Sequence, residues 1–403
     1  MSAEEIMSKK GSVFGATFLI TGSCVGAGML ALPISTGLAG FFPSFAMFFL
    51  AWFFMTSTAF ILVEVQRHFP TRVNFAGMVE HFLGPVGRMV CFVLYLLLFY
   101  AILVAYLAQI GEHIGSYVQL GVPAFPEWGG SVLFAAVFGG VIYLSTGFVD
   151  RTNRLFMYGK ILTFFALLYF GFSHINPSLL AYSDFSYVLQ GLPVLVISFG
   201  FHNILPTIHD YLGGDVRRVR ASVIAGSLCT LTIYLVWQTV ALGNLPVTGP
   251  ISITSSYAEG IDAAGALKNL LGFSGLGTIA SVLAFFAITT SFLAQSLSLV
   301  HFLTDALKVE VGKRENIWMC FLTFVPPTIV CVLNPRILYQ ALGLGGGIFA
   351  VILFGILPVL MVWRGKTRDH FFKERNFFTK NAVLLTLFAI ASFIIAYQIY
   401  AEI

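Results

Sequence analysis

The apolar runs of this chain leave few choices of fold. Eleven mostly hydrophobic stretches, at 12–38, 42–65, 86–117, 130–149, 155–172, 187–212, 221–242, 276–303, 317–333, 337–363 and 381–400, alternate with short charged clusters. Each approaches or exceeds the roughly 20 residues that a helix needs to cross a bilayer. Only 10% of the 403 residues are Asp, Glu, Lys or Arg, against 58% hydrophobic. A water-soluble core could not bury that much apolar surface, so the solvent around these runs is lipid. They are continuous rather than alternating over about ten residues, which makes them helices and not barrel strands. The expected fold is an all-α polytopic membrane protein with 11 transmembrane helices.

Charge sets the expected orientation. With a cytoplasmic N-terminus, every Lys and Arg except Lys268 and Arg336 falls on the cytoplasmic side, as the positive-inside rule requires. An odd number of spans then leaves the C-terminus on the periplasmic side. Residues 1–11 are polar, and the first run continues without an A-x-A-like site, so no cleaved signal peptide is expected. The cysteines, Cys24, Cys91, Cys229, Cys320 and Cys331, lie inside apolar runs without CxxC spacing, which argues against a disulfide framework or a structural metal site. A dispersed net charge of +4 excludes a nucleic-acid partner. In the long connection at 243–275, Ser256-Tyr257-Ala258-Glu259 reads as a capping box. The helix it starts, ending near residue 271, is a surface element or a lid.

Two runs are poor continuous helices. The first contains Gly22, Gly26 and Gly28 and then Pro33; the sixth reads Ser198-Phe199-Gly200-Phe201-His202-Asn203 and then Pro206. Glycine lets backbone unwind, and proline removes a helix hydrogen bond. These breaks open two blocks of five spans, 12–175 and 187–363, with a further helix at 381–400. Because five is odd, the second block is inverted relative to the first. That is the arrangement of secondary transporters whose broken helices meet at a mid-membrane substrate site. Gly22-x-x-x-Gly26 alone also suits close helix packing.

Such breaks offer backbone chemistry. The N–H groups of residues 26–29, Ala27 among them, would suit a carboxylate at a helix N-terminus. The carbonyls of residues 197–200 would suit an ammonium, and together the two ends would hold a free amino acid. Gly22, Ser23, Ser198, Phe199, Gly200 and Phe201 lie in or beside these breaks. Side-chain pocket candidates are His202 with Tyr100, Tyr106 and Gln109 of the third run and Phe285 and Phe286 of the eighth. His202 either lines the pocket or is held structurally by a backbone carbonyl. No catalytic residue, metal ligand or cofactor is expected. The cluster His202, His209 and Asp210 lacks H-E-x-x-H spacing, and neither GxSxG nor a mid-membrane aspartate pair is present, so an intramembrane enzyme is disfavoured. Neither repeated filters nor charge rings point to a channel.

The run from Gly26 to Pro33, Gly-Ala-Gly-Met-Leu-Ala-Leu-Pro, together with Ser198-Phe199-Gly200-Phe201-His202 and Pro206, resembles the bacterial aromatic amino acid permease family, nearest to its tyrosine-specific members. Leu62-Val63-Glu64-Val65, Asn153-Arg154 with Lys160, and Thr290-Ser291-Phe292-Leu293 extend the resemblance from about residue 11 through the tenth span. It implies a LeuT-type core in a bacterial inner membrane, importing tyrosine, or tryptophan or phenylalanine, by proton symport with alternating access. It also implies that Lys160 stands where related carriers hold a sodium ion, facing residues 22–23 and 290–291. A lysine held away from water exchanges its proton more readily than an exposed one, although Lys160 could instead snorkel to the surface. Glu64 and Glu112 are the carboxylate candidates for proton coupling, and Glu64 also stands three residues before Arg67 as an ion-pair partner. Asn203 and Gln295 depart from the family pattern and bear on selectivity. A broader neutral or serine/threonine-type permease and a sodium-coupled carrier are the rival readings.

Overall fold

A backbone crossing lipid must satisfy its own polar groups, and the computed structural model of this chain does so with helices. It describes residues 11–69, 73–144, 146–272, 275–307, 313–368, 372 and 377–402. Lys9, Lys10, Arg72, Lys308, Lys373 and Arg375, counted above for orientation, lie outside these residues. Helices α1 (Val13–Cys24) and α2 (Gly28–Gly37) form one bent pair with a 59° angle between them. Then come α3 (Phe41–Gln66), α4 (Phe75–Val118), α5 (Gly129–Leu144) and α6 (Thr146–Ser173). A second broken pair follows, α7 (Leu192–Ser198) and α8 (Leu205–Tyr211), joined through a tight 3-10 turn at Phe201–Ile204.

The chain continues through α9 (Val216–Asn244), two short helices α10 (Ile253–Glu259) and α11 (Ala263–Leu271), then α12 (Gly275–Leu307) and α13 (Lys313–Leu333). Helix α14 (Leu338–Leu344) widens into π-type turns over Gly345–Ile356 and returns to α-geometry in α15 (Leu357–Arg368); α16 (Asn381–Glu402) ends the order. Among the described residues, eight helical segments are long and apolar enough to cross a membrane, or nine with the bent pair counted as one. Two shorter apolar helices, α5 and α13, accompany them. Large apolar side chains stand exposed on the outside of the bundle, Phe14, Phe18, Leu162 and Phe165 among them, as befits a surface solvated by lipid.

Local chemistry explains several boundaries. Asn74 caps α4 by accepting the Gly77 N–H at 2.8 Å, satisfying an otherwise orphaned donor. The third span therefore starts earlier than the apolar run suggested. Glu80 and Arg88 pair with each other at 2.8 Å on the exposed face, so those charges do not end the helix. It bends at Gly84, whose φ of 78° suits glycine. The connection at 243–275 also differs from expectation. Ser252 with Ser255 makes the capping box, Gly260 closes α10 in the left-handed region, and Asp262 caps a separate α11. Ser256 lies inside α10, where its carbonyl accepts the Ile261 N–H at 2.8 Å.

Packing brings the two broken pairs together at the centre. Helix α9 lies along α1 and α3, α6 along α12, and α2 against α7. The widened segment of the tenth run packs on α7, where a Cβ on Gly346 would collide with the Pro193 carbonyl. Every residue from Met29 to Gly40 is buried, covered in part by α10 and α11.

Candidate functional site

Each break exposes backbone groups that its own helix no longer satisfies, and neighbouring spans supply their partners. The Tyr234 hydroxyl of α9 stands 2.7 Å from the Cys24 carbonyl and 2.8 Å from the Ser198 carbonyl. One proton is thus shared between the last carbonyls of α1 and α7. Lys160, buried on α6, donates from Nζ to the Val25 carbonyl at 3.0 Å. The Ala27 N–H donates to Ser291 Oγ of α12 at 3.1 Å, and the Trp237 indole N–H donates to the Met29 carbonyl at 3.0 Å. Gln109 reaches the Ala27 carbonyl at 3.4 Å. A side chain at Gly26 would strike Ser291 Oγ, so glycine is what permits this close approach.

A cavity of about 60 Å³ lies between the breaks. Ser23, Gly26 and Gly28 line it from the first break, and Ser198 and Gly200 from the second; Tyr106 contributes from α4. Its other walls come from Cys24, Tyr95, Leu98, Phe99, Ile102, Ile197, Asn203, Gln295, Leu342 and Phe354. The Ser198 hydroxyl is buried without a hydrogen-bond partner, an open polar position close beside Gly28. Ser23 and Asn203 are the exposed members of the lining. The cavity therefore reaches outward on the α1 and α8 side of the breaks, while α2 closes the opposite side. A void of this size holds a few waters, so an amino acid enters only when the walls part.

The remaining sequence candidates stand elsewhere. His202 Nε2 is 2.9 Å from Thr58 Oγ1 on α3, and its ring stacks on Phe354 at 4.9 Å between centroids. It backs the cavity wall instead of facing the void, and its Nδ1 has no partner. Phe199 packs against Tyr234, and Phe201 stacks on His202. Tyr100 turns away, donating to the Leu322 carbonyl at 2.8 Å. Phe285 and Phe286 pack on Phe156. Gly22 is exposed, and Ala27 is buried with its N–H engaged by Ser291.

Among the carboxylates, Glu64 is buried and pairs with Arg220, with Arg67 3.8 Å away. Glu112 lies one turn beyond Gln109, outside the lining of the central cavity and beside His113 near the end of α4. Close by, burial pulls the Lys268 ammonium below its ordinary pKa while Glu112 opposes the shift.

Sequence reasoning found Tyr106 but missed Tyr95, Phe99 and Ile102, although the four recur at intervals of three and four residues and so share one helical face. Phe354 carried no comparable signal, because only the packing of the tenth span onto the sixth brings it to the cavity.

The model of the tryptophan/tyrosine permease family matches residues 9–398. A tryptophan-specific transport protein of Pseudomonas aeruginosa is 30% identical over 382 residues, covering 91% of this chain and 89% of the relative. A tyrosine-specific transport system of Haemophilus influenzae is 29% identical over 358 residues, with 87% and 88% covered. The low affinity tryptophan permease of Escherichia coli is 30% identical over 376 residues, with 89% of each chain covered.

Proposed function

The chain belongs to the tryptophan/tyrosine permease family, a family of transport proteins and not of enzymes, and from that premise we propose that it imports aromatic amino acids, tyrosine foremost, by proton symport with alternating access. The setting is a bacterial inner membrane, with the N-terminus cytoplasmic and the C-terminus periplasmic. Counting α5 and α13 as spans makes eleven in a LeuT-type arrangement, with repeats at 12–175 and 187–363 and an extra helix at 381–400. The packing of the second run on the seventh and of the third on the eighth supports this, because each pairing maps onto itself when runs five apart are exchanged.

One observation carries the reading. Two interrupted helices, α1/α2 and α7/α8, present backbone ends to one cavity walled by Tyr95, Phe99 and Phe354. The N-terminus of α2 suits the substrate carboxylate, the carbonyl end of α7 suits its ammonium, and the aromatic wall suits its ring. Ser198 adds a hydroxyl to the polar end; Asn203 and Gln295 add amides that can meet a phenol or an indole N–H. Protonated, Lys160 gives the Val25 carbonyl a charge-assisted hydrogen bond, which weakens to that of a neutral amine when the proton leaves, so its charge is tied to the shape of the first break. An ammonium standing there competes with a sodium ion for the same oxygen, which favours proton over sodium coupling. Glu64, already paired with Arg220, is the weaker coupling candidate.

Tryptophan is the second reading, because a relative named for it matches at 30% identity and one named for tyrosine at 29%. Uptake of radiolabelled tyrosine into proteoliposomes tests both. The expected result is accumulation driven by an inward proton gradient and not by a sodium gradient, blocked by excess tryptophan or phenylalanine and not by serine. Folded protein that takes up neither tyrosine nor tryptophan under either gradient would overturn the assignment.

A further inference from the structure

The α10–α11 connection is docked onto the bundle by buried polar groups that line no part of the central cavity. Asp262 caps α11, with Oδ1 accepting the Gly265 N–H at 2.8 Å, and its Oδ2 stands 3.1 Å from Nε2 of His113 on α4. Both residues are deeply buried, His113 at 4% and Asp262 at 2% exposure. The other ring nitrogen of His113 makes no hydrogen bond and faces Glu112 Oε2 at 3.9 Å. Around this group, Lys268 of α11 donates to Ser116 and lies 4.1 Å above the Tyr117 ring. From the tenth run, the Tyr339 hydroxyl donates to the Ile261 carbonyl at 2.8 Å. A cavity of about 250 Å³ adjoins Glu112, and Glu127, Glu259 and Arg336 share its lining. Arg336 pairs with Glu127 at 3.3 Å.

An imidazole set between two carboxylates poses a definite chemical problem. A neutral ring has one N–H and one lone pair. If its N–H serves Asp262, the buried lone pair on Nδ1 faces the half-buried Glu112 carboxylate, and like partial charges repel. A proton on Nδ1 or on Glu112 removes that conflict and makes the gap a donor–acceptor contact. Once the connection lifts and water enters, no such proton is required. Lys268 offsets one carboxylate but reaches neither ring nitrogen.

We propose that His113 and Glu112 form a proton-binding site whose occupation latches α10–α11 shut over this end of the bundle. The reading of this segment as a gate for substrate rests on the transport function proposed above; the latch itself does not. By linkage, a closed state that binds the extra proton is favoured at low pH, and opening is favoured as pH rises. In a symporter, a proton arriving at this end would then close the path behind the substrate. That step is distinct from the role assigned to Lys160, which acts at the first break.

Thiol labelling tests the latch without any substrate. Ala264 in α11 is fully buried, so the variant Ala264→Cys reacts with a membrane-impermeant, charged thiol reagent only when the segment lifts. The unsubstituted chain reports the background from the native cysteines. Labelling should rise by about tenfold between about pH 5 and about pH 8. Adding Glu112→Gln, whose amide can donate to Nδ1 without a bound proton, should make labelling slow at both pH values. Adding His113→Phe, which removes both ring nitrogens, should make it fast at both. A pH-independent rate in the Ala264→Cys chain, or a pH response that survives Glu112→Gln, would overturn the proposal. If His113→Phe does not fold, the Glu112→Gln result decides alone, and Ala263→Cys, equally buried, repeats the readout at a second position. Gated labelling in protein that transports no aromatic amino acid would leave the latch standing and sink the transport reading. Ungated labelling in protein that transports them would do the reverse.

Discussion

The two helix breaks look alike in sequence, each a glycine-containing stretch followed by proline, yet they are held by different forces. The first is pinned by hydrogen bonds from four other spans: Lys160 to Val25, Gln109 to Ala27, Ser291 to the Ala27 N–H, and Trp237 to Met29. One of those partners carries an ionisable ammonium. The second is held largely by rings: Phe199 on Tyr234, Phe201 on His202, and His202 on Phe354, with Thr58 as the polar anchor. Tyr234 touches both breaks through its hydroxyl. A break held by a titratable donor can respond to protons. A break held by packing responds to the shape and size of what fills the cavity. On the proposed function, coupling falls to the first break and selectivity to the second.

That division can be broken most sharply at Lys160. Lys160→Ala leaves the Val25 carbonyl buried without its donor, a loss of roughly 1–3 kcal/mol. Proton-driven accumulation should fall by about a hundredfold, while tyrosine counterflow between equal pH compartments persists. Full proton-driven uptake by this variant, measured in proteoliposomes, would remove Lys160 from the coupling role. A smaller effect is expected at the second break. Phe354→Ala should raise KM for aromatic substrates about tenfold, a change of about 1.4 kcal/mol, and leave the response to the proton gradient intact. If it instead abolished coupling without changing KM, the two breaks would not divide the work as argued. The smallest effect belongs to His202→Phe, which preserves a ring against Phe354 and loses the Thr58 contact. Tyrosine KM should change by about fivefold or less, matching a loss of roughly 0.5–1 kcal/mol. A loss as large as that at Phe354 would mean that His202 reaches substrate directly.

Much of the architecture was legible because lipid imposes a blunt rule: a long apolar run must become a helix that satisfies its own backbone. Glycine and proline marked the breaks, for the same reason that they interrupt any helix. Ser23, Gly26, Gly28, Ser198, Gly200 and Tyr106, singled out from the sequence, line the central cavity. The boundary of the third span was less legible. The apolar run began at residue 86, whereas the helix starts at Phe75 and carries Glu80 and Arg88 as an exposed ion pair.

Side-chain direction was the harder matter. His202 sits in a break, and sequence position alone left it free to face the cavity or its surroundings. The rotation of α3 supplies Thr58, and stacking on Phe354 turns the ring into the wall. Tyr234 was invisible to motif reading, because its partners Cys24 and Ser198 are distant in sequence and converge only when α9 packs across both broken helices. His113 and Asp262 meet in the same way, 149 residues apart. Composition and periodicity by themselves determined that the chain is a bundle of membrane helices with two interruptions, since those depend on local hydrophobicity and backbone freedom. Which side chains close the interruptions, wall the cavity and dock the α10–α11 segment was decided by tertiary structure alone. Those contacts depend on how whole helices rotate and pack, and no local pattern encodes that.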